Sequence, residues 1–453
     1  MLIAVADIGK TNAKLILVDT DSGRVTHRCE QPTRSIGEAG LRQLDVRTIE
    51  RWLIASLANA PGKERIVALV PIAHGAAAVL VDADNAPLVA PDYEDPVFDS
   101  VAEEYRPLRD PFAHTLSPWL PLGLNLGRQL YYLQTRHASL WQRARWILPY
   151  PQYWAARFSS QPASEVTSLG CHTDLWRPQR ASYSDLAVRS GWHERFAPLR
   201  RAADTLGPLS AEFAVRTGLS STCRVHCGIH DSNASYLSHL LAHDRSPRLA
   251  VISSGTWTVI LCRGGALERL QEQRDMLANV DAFGDPVATA RFMGGREYQA
   301  IAGNASASAD VSALTAVMRH GALAMPSFAP GGPFNGQAGR LLDAETLGTT
   351  ERHALATLYV ALMTDLMLDE LGAGDDIVID GPLATNALFG RILATLRANA
   401  QVLVGDARSA SCIAARYLAT GVTPSAAPSQ PIARLEVDLH AYRERWRAQL
   451  PRS

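Results

Sequence analysis

The feature that most constrains this chain is its opening, in which three short strands are separated by tight turns. Leu2 to Ala6 is an unbroken apolar run, and Ala13 to Val18 is rich in strand-forming residues. Arg24 to Cys29 follows a turn at Asp21-Ser22-Gly23. Such a meander differs from the strand–helix start of a dinucleotide-binding unit. A second copy of the pattern begins near Arg248. Leu249 to Ser253 reads as a strand, Gly255-Thr256 as a turn and Trp257 to Cys262 as a strand. The likeness is short, but it points to an internal repeat. With 453 residues the chain has room for two or three domains.

Between and after the meanders the pattern alternates. A helix is expected over Asp45 to Asn59, followed by strands at Arg65 to Val70 and Ala77 to Val81. Leu122 to Phe158 reads as mainly helical, with Leu130, Leu133, Trp141 and Trp146 as core positions. Pro162 to Arg180 is polar and loop-like, which suits a binding edge. Later come a helix over Glu351 to Leu371, a strand at Asp376 to Asp380 and a helix over Asn386 to Asn399. A strand at Gln401 to Val404 and a helix over Ser409 to Thr420 follow. Pro424 to Pro431 reads as a linker to a basic C-terminal helix, expected as a solvated, docked tail. Two α/β halves result, residues 1–245 and 246–453, with a ligand-binding cleft expected between them.

Lys and Arg number 44 against 45 Asp and Glu, a formal net charge of −1. That balance argues against a nucleic-acid partner, whose phosphates call for a basic field. Six cysteines are scattered without a CxxC pair, so free thiols in a reducing compartment are expected. The N-terminus turns acidic at Asp7, too early for a signal peptide. The longest clean apolar run, Ala76 to Val81, is far short of the roughly 20 residues of a membrane span. A cytoplasmic monomer or homodimer without membrane contact is expected. Only three of the basic residues are lysines, Lys10, Lys14 and Lys63, and two of them flank the first turn.

Four motifs carry chemistry. Asp7-Ile8-Gly9-Lys10-Thr11-Asn12-Ala13-Lys14 closes a buried strand with an acid and then turns at a glycine, where backbone amides can cradle phosphate. Asp7 can hold Mg²⁺ through water, and Lys10 and Lys14 place compact cations beside the turn. Ser253-Ser254-Gly255-Thr256-Trp257-Thr258 offers the same chemistry at the second meander. Gly228-Ile229-His230-Asp231-Ser232-Asn233-Ala234 places a carboxylate at the start of an expected helix. Asp231 can accept a hydroxyl proton during phosphoryl transfer, cap the helix, or do both. Asp380-Gly381-Pro382-Leu383-Ala384-Thr385-Asn386 is a strand-to-helix turn able to lie against an adenosine, or simply to cap a helix. The chain lacks GxxxxGK[ST], GxGxxG after a strand, GxSxG and HExxH.

In this order and at this spacing, from Asp7 to about Gly421, the motifs resemble those of the FGGY carbohydrate kinases. The resemblance implies an α/β fold of two ribonuclease H-like domains, of the actin and sugar-kinase superfamily, and ATP with Mg²⁺ as cofactors. By that likeness Asp231 is the catalytic base and Asp7 the Mg-linked acid. Gly9, Lys10, Thr11, Asn12 and Lys14 lie at the first phosphate turn, Gly255 and Thr256 at the second, and Gly381 and Asn386 beside the adenosine. Sugar contacts would come from His74-Gly75, Asp92-Tyr93-Glu94, His172-Thr173 and the His230-Asp231 pair. The latter and the Asp92 stretch lean toward the deoxyketose branch, with L-rhamnulose or L-fuculose as acceptor. Xylulose or glycerol is an alternative, as is a non-catalytic actin-like ATP-binding module.

The chain departs from the family pattern at three places. Lys10 stands where Thr or Ser is usual, Asp380-Gly381 where Gly-Gly is usual, and Asp406-Ala407-Arg408 where Glu-Ala precedes the last helix. The lysine count turns the first departure into an expectation, that Lys10→Ala raises the KM for ATP more than that for sugar.

Overall fold

A computed structural model describes residues 1–38, 40–243, 246–405, 410–423 and 431–451. The chain divides into two compact units. One comprises Met1–Leu241, Ala278–Pro286 and Ser409–Ser425; the other comprises Ala242–Leu277, Val287–Arg408 and Ala426–Ser453. A break thus falls at 241/242, beside the division at 245/246 drawn from sequence, and two later segments return to the first unit.

The first unit is built on the opening meander: β1 (Leu2–Ile8), β2 (Asn12–Asp19) and β3 (Val25–Pro32). These antiparallel strands are extended by β4 (Ile66–Ala73), parallel to β1, and β5 (Arg224–His226), parallel to β4. The order is β3-β2-β1-β4-β5, with Thr205–Pro208 antiparallel beyond β5. Every residue of β1 is buried because both faces of the sheet are covered. Leu2, Ala4 and Ala6 pack with Ile49, Leu53 and Leu57 of α1 (Val46–Ala58). Ile3 and Val5 face the other way, toward Leu237 and Leu241 of α2 (Asp231–Ala242) and Cys412, Ala415 and Leu418 of a helix from far along the chain, Ala410–Thr420.

The second unit repeats the topology. β6 (Leu249–Ser254) and β7 (Thr258–Cys262) form its hairpin, and β8 (Pro286–Phe292) pairs antiparallel with β7. β9 (Asp376–Asp380) runs parallel to β6, and β10 (Gln401–Val404) parallel to β9. The order β8-β7-β6-β9-β10 reproduces β3-β2-β1-β4-β5, with Met276–Val280 outside β8. The repeat glimpsed in two short turns is therefore a repeat of the whole sheet. The long helix Thr349–Glu370 is buried around most of its circumference from His353 to Asp365, as an all-round apolar helix must be.

Leu122 to Phe158 is less helical than its composition indicates. Helices Leu126–Arg136, Ala138–Arg143 and Tyr150–Ser159 are interrupted by a strand, Trp146–Pro149. That strand pairs antiparallel with Ala78–Val81, so sheet pairing decides a short apolar run that periodicity cannot. The terminal helix His440–Ala448 is anchored rather than solvated. Trp446 is 1 % exposed and donates from Nε1 to the Ala324 carbonyl at 2.8 Å. The linker read at Pro424 to Pro431 and the departure at Asp406-Ala407-Arg408 lie outside the described residues, Pro431 excepted. Among the described residues no helix is long and apolar enough to cross a membrane. Among the described residues none of the cysteines is bridged to another.

Candidate active site

In the first unit the strand ends assemble the site. β1 and β4 run side by side, so Asp7 is paired with Ile72 and Ile8 with Ala73, and the His74 amide donates to the Ile8 carbonyl at 3.1 Å. The first acid and the His74-Gly75 dipeptide therefore leave the sheet together. Ile229-His230 pairs with Ile72-Ala73, which brings the base candidate to the same edge. α2 begins at Asp231, whose Oδ1 accepts from the Ser232 amide at 2.6 Å and lies 3.3 Å from His230 Nε2. The Asp231 side chain remains 34 % exposed, while His230 is buried. The carboxylate thus accepts from the adjacent amide and stays partly exposed, where it could also take a proton.

Gly75 is required by this packing. A Cβ there would sit 2.5 Å from His230 Nε2, and the imidazole is held by Asn233 Nδ2 at 3.1 Å from its Nδ1. Gly75→Ala is expected to lower kcat at least tenfold by tilting His230 and Asp231, with nucleotide binding kept; unchanged kcat would break the link. Burial lowers the pKa of both His74 and His230, and the nearby Asp231 charge only partly opposes it. Both rings are therefore held toward the neutral form.

Asp7 is buried with Lys14 Nζ 3.5 Å from its Oδ2 and the Ser411 hydroxyl donating to the same oxygen at 3.2 Å. Burial raises its pKa, Lys14 opposes that rise and Asp231 adds to it. A carboxylate so placed, with the Asp231 charge nearby, suits a hydrated divalent cation. The turn beyond it is closed by the Gly9 amide donating to the Asn12 carbonyl at 2.9 Å, with Thr11 exposed at its tip.

Lys10 leaves this turn in a direction the sequence did not indicate. Its Nζ pairs with Asp92, lies 3.4 Å from Glu94 and sits 4.7 Å from the centroid of the Tyr93 ring. Ser35 also donates to Asp92, and Arg42 Nε lies 3.0 Å from it. Burial would raise the Asp92 pKa, yet hydrogen bonds from Lys10, Ser35 and the Glu94 amide outweigh it and hold the carboxyl below its usual value. Burial, with the charges of Glu94 and Asp92, pushes Tyr93 up to about 12, so it stays a neutral phenol. The Tyr93 and His74 rings meet edge to face, with centroids 5.9 Å apart.

His172 and Thr173 turn to other partners. His172 bonds through Nδ1 to the Leu124 carbonyl at 2.9 Å, and the Thr173 hydroxyl is buried and donates to Leu169. The preceding loop hides a group of more consequence. Glu165 is fully buried, accepts from the Thr167 amide at 3.0 Å and from its hydroxyl, and Thr167 Oγ1 accepts in turn from the His230 amide at 3.2 Å. Burial pushes Glu165 up to about 7, against opposing hydrogen bonds from Thr167. A carboxyl with a raised folded pKa favours the fold most below its unfolded value of 4.5 and loses that contribution as pH rises toward 7. Relative to Glu165→Gln, the wild type should lose on the order of 3 kcal/mol over that window in chemical denaturation. Parallel pH profiles would show that Glu165 is not the titrating group.

The second unit carries the other motifs. The Ser254 hydroxyl donates to the Asp380 carbonyl at 2.5 Å and accepts from the Leu383 amide at 2.9 Å, which ties the Ser253–Thr258 turn to the Asp380–Asn386 turn. Gly381 has φ +74°, and a Cβ there would overlap the Ser254 carbonyl. Asn386 caps the helix Ala387–Leu396, accepting from the Phe389 amide at 3.1 Å, and its Nδ2 reaches Thr357 Oγ1 at 3.3 Å. Three partners escaped the sequence. Gly294 and Gly295 open the helix Gly294–Ala302 directly against Thr258 and Gly255, where a Cβ on either would collide. Arg291 lies 4.8 Å from the Trp257 ring centroid and 2.7 Å from Asp275, bracing the same turn from behind. The Gly-Gly after a strand was a readable signal; the Arg–Trp stack and Ser411 were not.

The family model for the C-terminal domain of the FGGY carbohydrate kinases matches residues 246–428. A carbohydrate kinase from Novosphingobium aromaticivorans is 37 % identical, over 99 % of this chain and 100 % of its own, with a TM-score of 0.91. The chain belongs to the FGGY carbohydrate kinases. It is an ATP-dependent carbohydrate kinase by that membership. The same fold recurs in a xylulose kinase from Rhodospirillum rubrum at 16 % identity, 99 % and 96 % coverage and a TM-score of 0.77. It recurs again in the glycerol kinase of Plasmodium falciparum, solved with ADP, at 12 % identity, 99 % and 96 % coverage and a TM-score of 0.75. No curated protein sequence matches the chain.

Proposed function

We propose that this FGGY kinase transfers the γ-phosphoryl group of ATP to a hydroxyl of a small ketose or deoxyketose, such as L-rhamnulose or L-fuculose, with Asp231 as general base. The observation that carries the reading is the convergence of Asp7, His74-Gly75 and His230-Asp231 at one edge of the first sheet. Asp231 takes the proton of the attacking hydroxyl as its oxygen bonds to the γ-phosphorus and ADP departs. His230, buried and braced by Asn233, steadies that carboxylate. Tyr93, Asp92 and His74 supply donors and acceptors for sugar hydroxyls, with His172 at the margin. Gly9, Thr11, Asn12, Gly255 and Thr256 offer backbone amides and hydroxyls to the phosphates, and Gly381 with Asn386 the adenosine wall.

A Mg²⁺ ion held through water by Asp7 would neutralise phosphate charge. Asp7→Ala is expected to raise the Mg²⁺ concentration for half-maximal activity roughly 10- to 100-fold. An unchanged Mg²⁺ titration would remove Asp7 from that role. The acceptor is identified by an ADP-release screen over ketoses, deoxyketoses, polyols and sugar acids. Turnover with L-rhamnulose or L-fuculose supports the reading, whereas turnover confined to xylulose or glycerol moves the acceptor to those sugars. A silent panel with ATP bound would favour a non-catalytic actin-like module. We further place the protein in the cytoplasm, acting as a monomer or homodimer.

A further inference from the structure

We propose that Lys10 serves the acceptor rather than the nucleotide, holding Asp92 and Tyr93 in place and fitting the first unit to a neutral, hydroxyl-rich sugar and against sugar acids. The inference rests on the acceptor site proposed above and concerns which ligands that site admits. The ammonium of Lys10 is committed on three sides, to Asp92, to Glu94 at 3.4 Å and to the face of Tyr93 at 4.7 Å. Tyr93 in turn rests against His74, whose neighbour Gly75 packs on His230. Lys10 is therefore linked through Tyr93 and His74-Gly75 to the His230-Asp231 pair.

The charges of this cluster are already matched. Lys10 and Arg42 face Asp92 and Glu94, two cations against two carboxylates, with Arg42 Nη2 3.4 Å from Glu94. Lys14 is paired with Asp7. His74 and His230 are buried. A sugar carboxylate entering here would meet the Asp231 charge and would have to break an existing ion pair to find a cation of its own. A hydroxyl faces no such cost, since it donates to a carboxylate and accepts from an ammonium or phenol without displacing either. The lysine in place of a small hydroxyl residue thus closes the charge balance of the acceptor side.

The test uses the intact protein, Lys10→Met and Lys10→Ala, with a neutral ketose set and the matching aldonates as probes. Calorimetric binding and ADP release are measured in parallel, and thermal midpoints verify folding. The expected result is that the neutral sugar is used at least tenfold better than its acid. Lys10→Met should raise the sugar KM roughly tenfold, the loss of a charged hydrogen bond, with the ATP KM within twofold. A raised ATP KM with the sugar KM unmoved overturns the assignment of Lys10, and so does an aldonate preferred over its neutral partner. If neutral sugars turn over and Lys10→Met behaves as wild type, this inference falls while the kinase reading stands. If no sugar binds or turns over although ATP binds, both fall.

Discussion

Asp231→Asn should lower sugar phosphorylation by about 10²–10⁴-fold and leave ATP affinity within a factor of two. The amide preserves the size of the side chain and its oxygen can still accept from the Ser232 amide, which in the wild type donates to the carboxylate at 2.6 Å. Helix α2 should therefore keep its start, and a thermal midpoint near that of the wild type would show it. What the amide cannot do is take a proton. The residual rate should come from positioning and from phosphate neutralisation, which this substitution leaves alone. A variant that retains more than about a tenth of the wild-type kcat would exclude Asp231 as the base. The pair with Gly75→Ala is informative because both act on the same imidazole–carboxylate edge, one by chemistry and one by displacement. If they act through one unit, the double variant should be little worse than Asp231→Asn alone.

The largest loss of stability is expected from Trp446→Ala, at about 3–5 kcal/mol. The indole is 1 % exposed, and its removal leaves both a cavity and an unmatched Ala324 carbonyl. The same helix is fixed by Tyr442, which donates to Ala322, and by Arg447, 2.6 Å from Asp365 and 2.6 Å from Asp369. Asp365 is fully buried among Arg397, Arg443 and Arg447, so loosening the helix also uncovers a carboxylate in the core of the second unit. For a unit of this size the midpoint should fall on the order of 10 °C in a thermal melt. Trp446→Phe, which keeps most of the buried area and loses the hydrogen bond, should lie between. A midpoint unmoved by Trp446→Ala would mean that the terminal helix is not part of the cooperative fold.

The meanders were legible because fully buried strands read as unbroken apolar runs and their turns as Gly with small polar residues. Asp376–Asp380 and Gln401–Val404 were bounded to the residue for the same reason. Trp146–Pro149 was missed because four apolar residues carry no period of their own and depend on pairing with Ala78–Val81. Placement was legible where it is local: Asp7 lies near the end of β1, Asp231 opens α2 and Gly381 turns away from β9. It was not legible where a partner is distant. Nothing near Asp92 in the sequence announces Lys10, Ser35 or Arg42, and nothing near Asp7 announces Ser411. Lys10 shows the difference most clearly: its rarity marked it as functional, but only its direction in space shows that it faces Asp92 and Tyr93.

The helix Ala410–Thr420 has a consequence for how the chain is made. It lays Cys412, Ala414, Ala415 and Leu418 over Ile3, Val5, Ile16 and Val18, and Arg416 donates to the Thr20 carbonyl at 2.7 Å. The face of the first sheet is thus covered by residues translated some 400 positions after it. On the ribosome α2 can cover part of that face early, but the rest must stay bare until nearly all of the chain has emerged. A fragment ending before this helix would keep the opening meander in sequence and lack part of the cover of its own core. The two halves can be read as separate domains, yet no single cut in the chain would yield them as separate proteins.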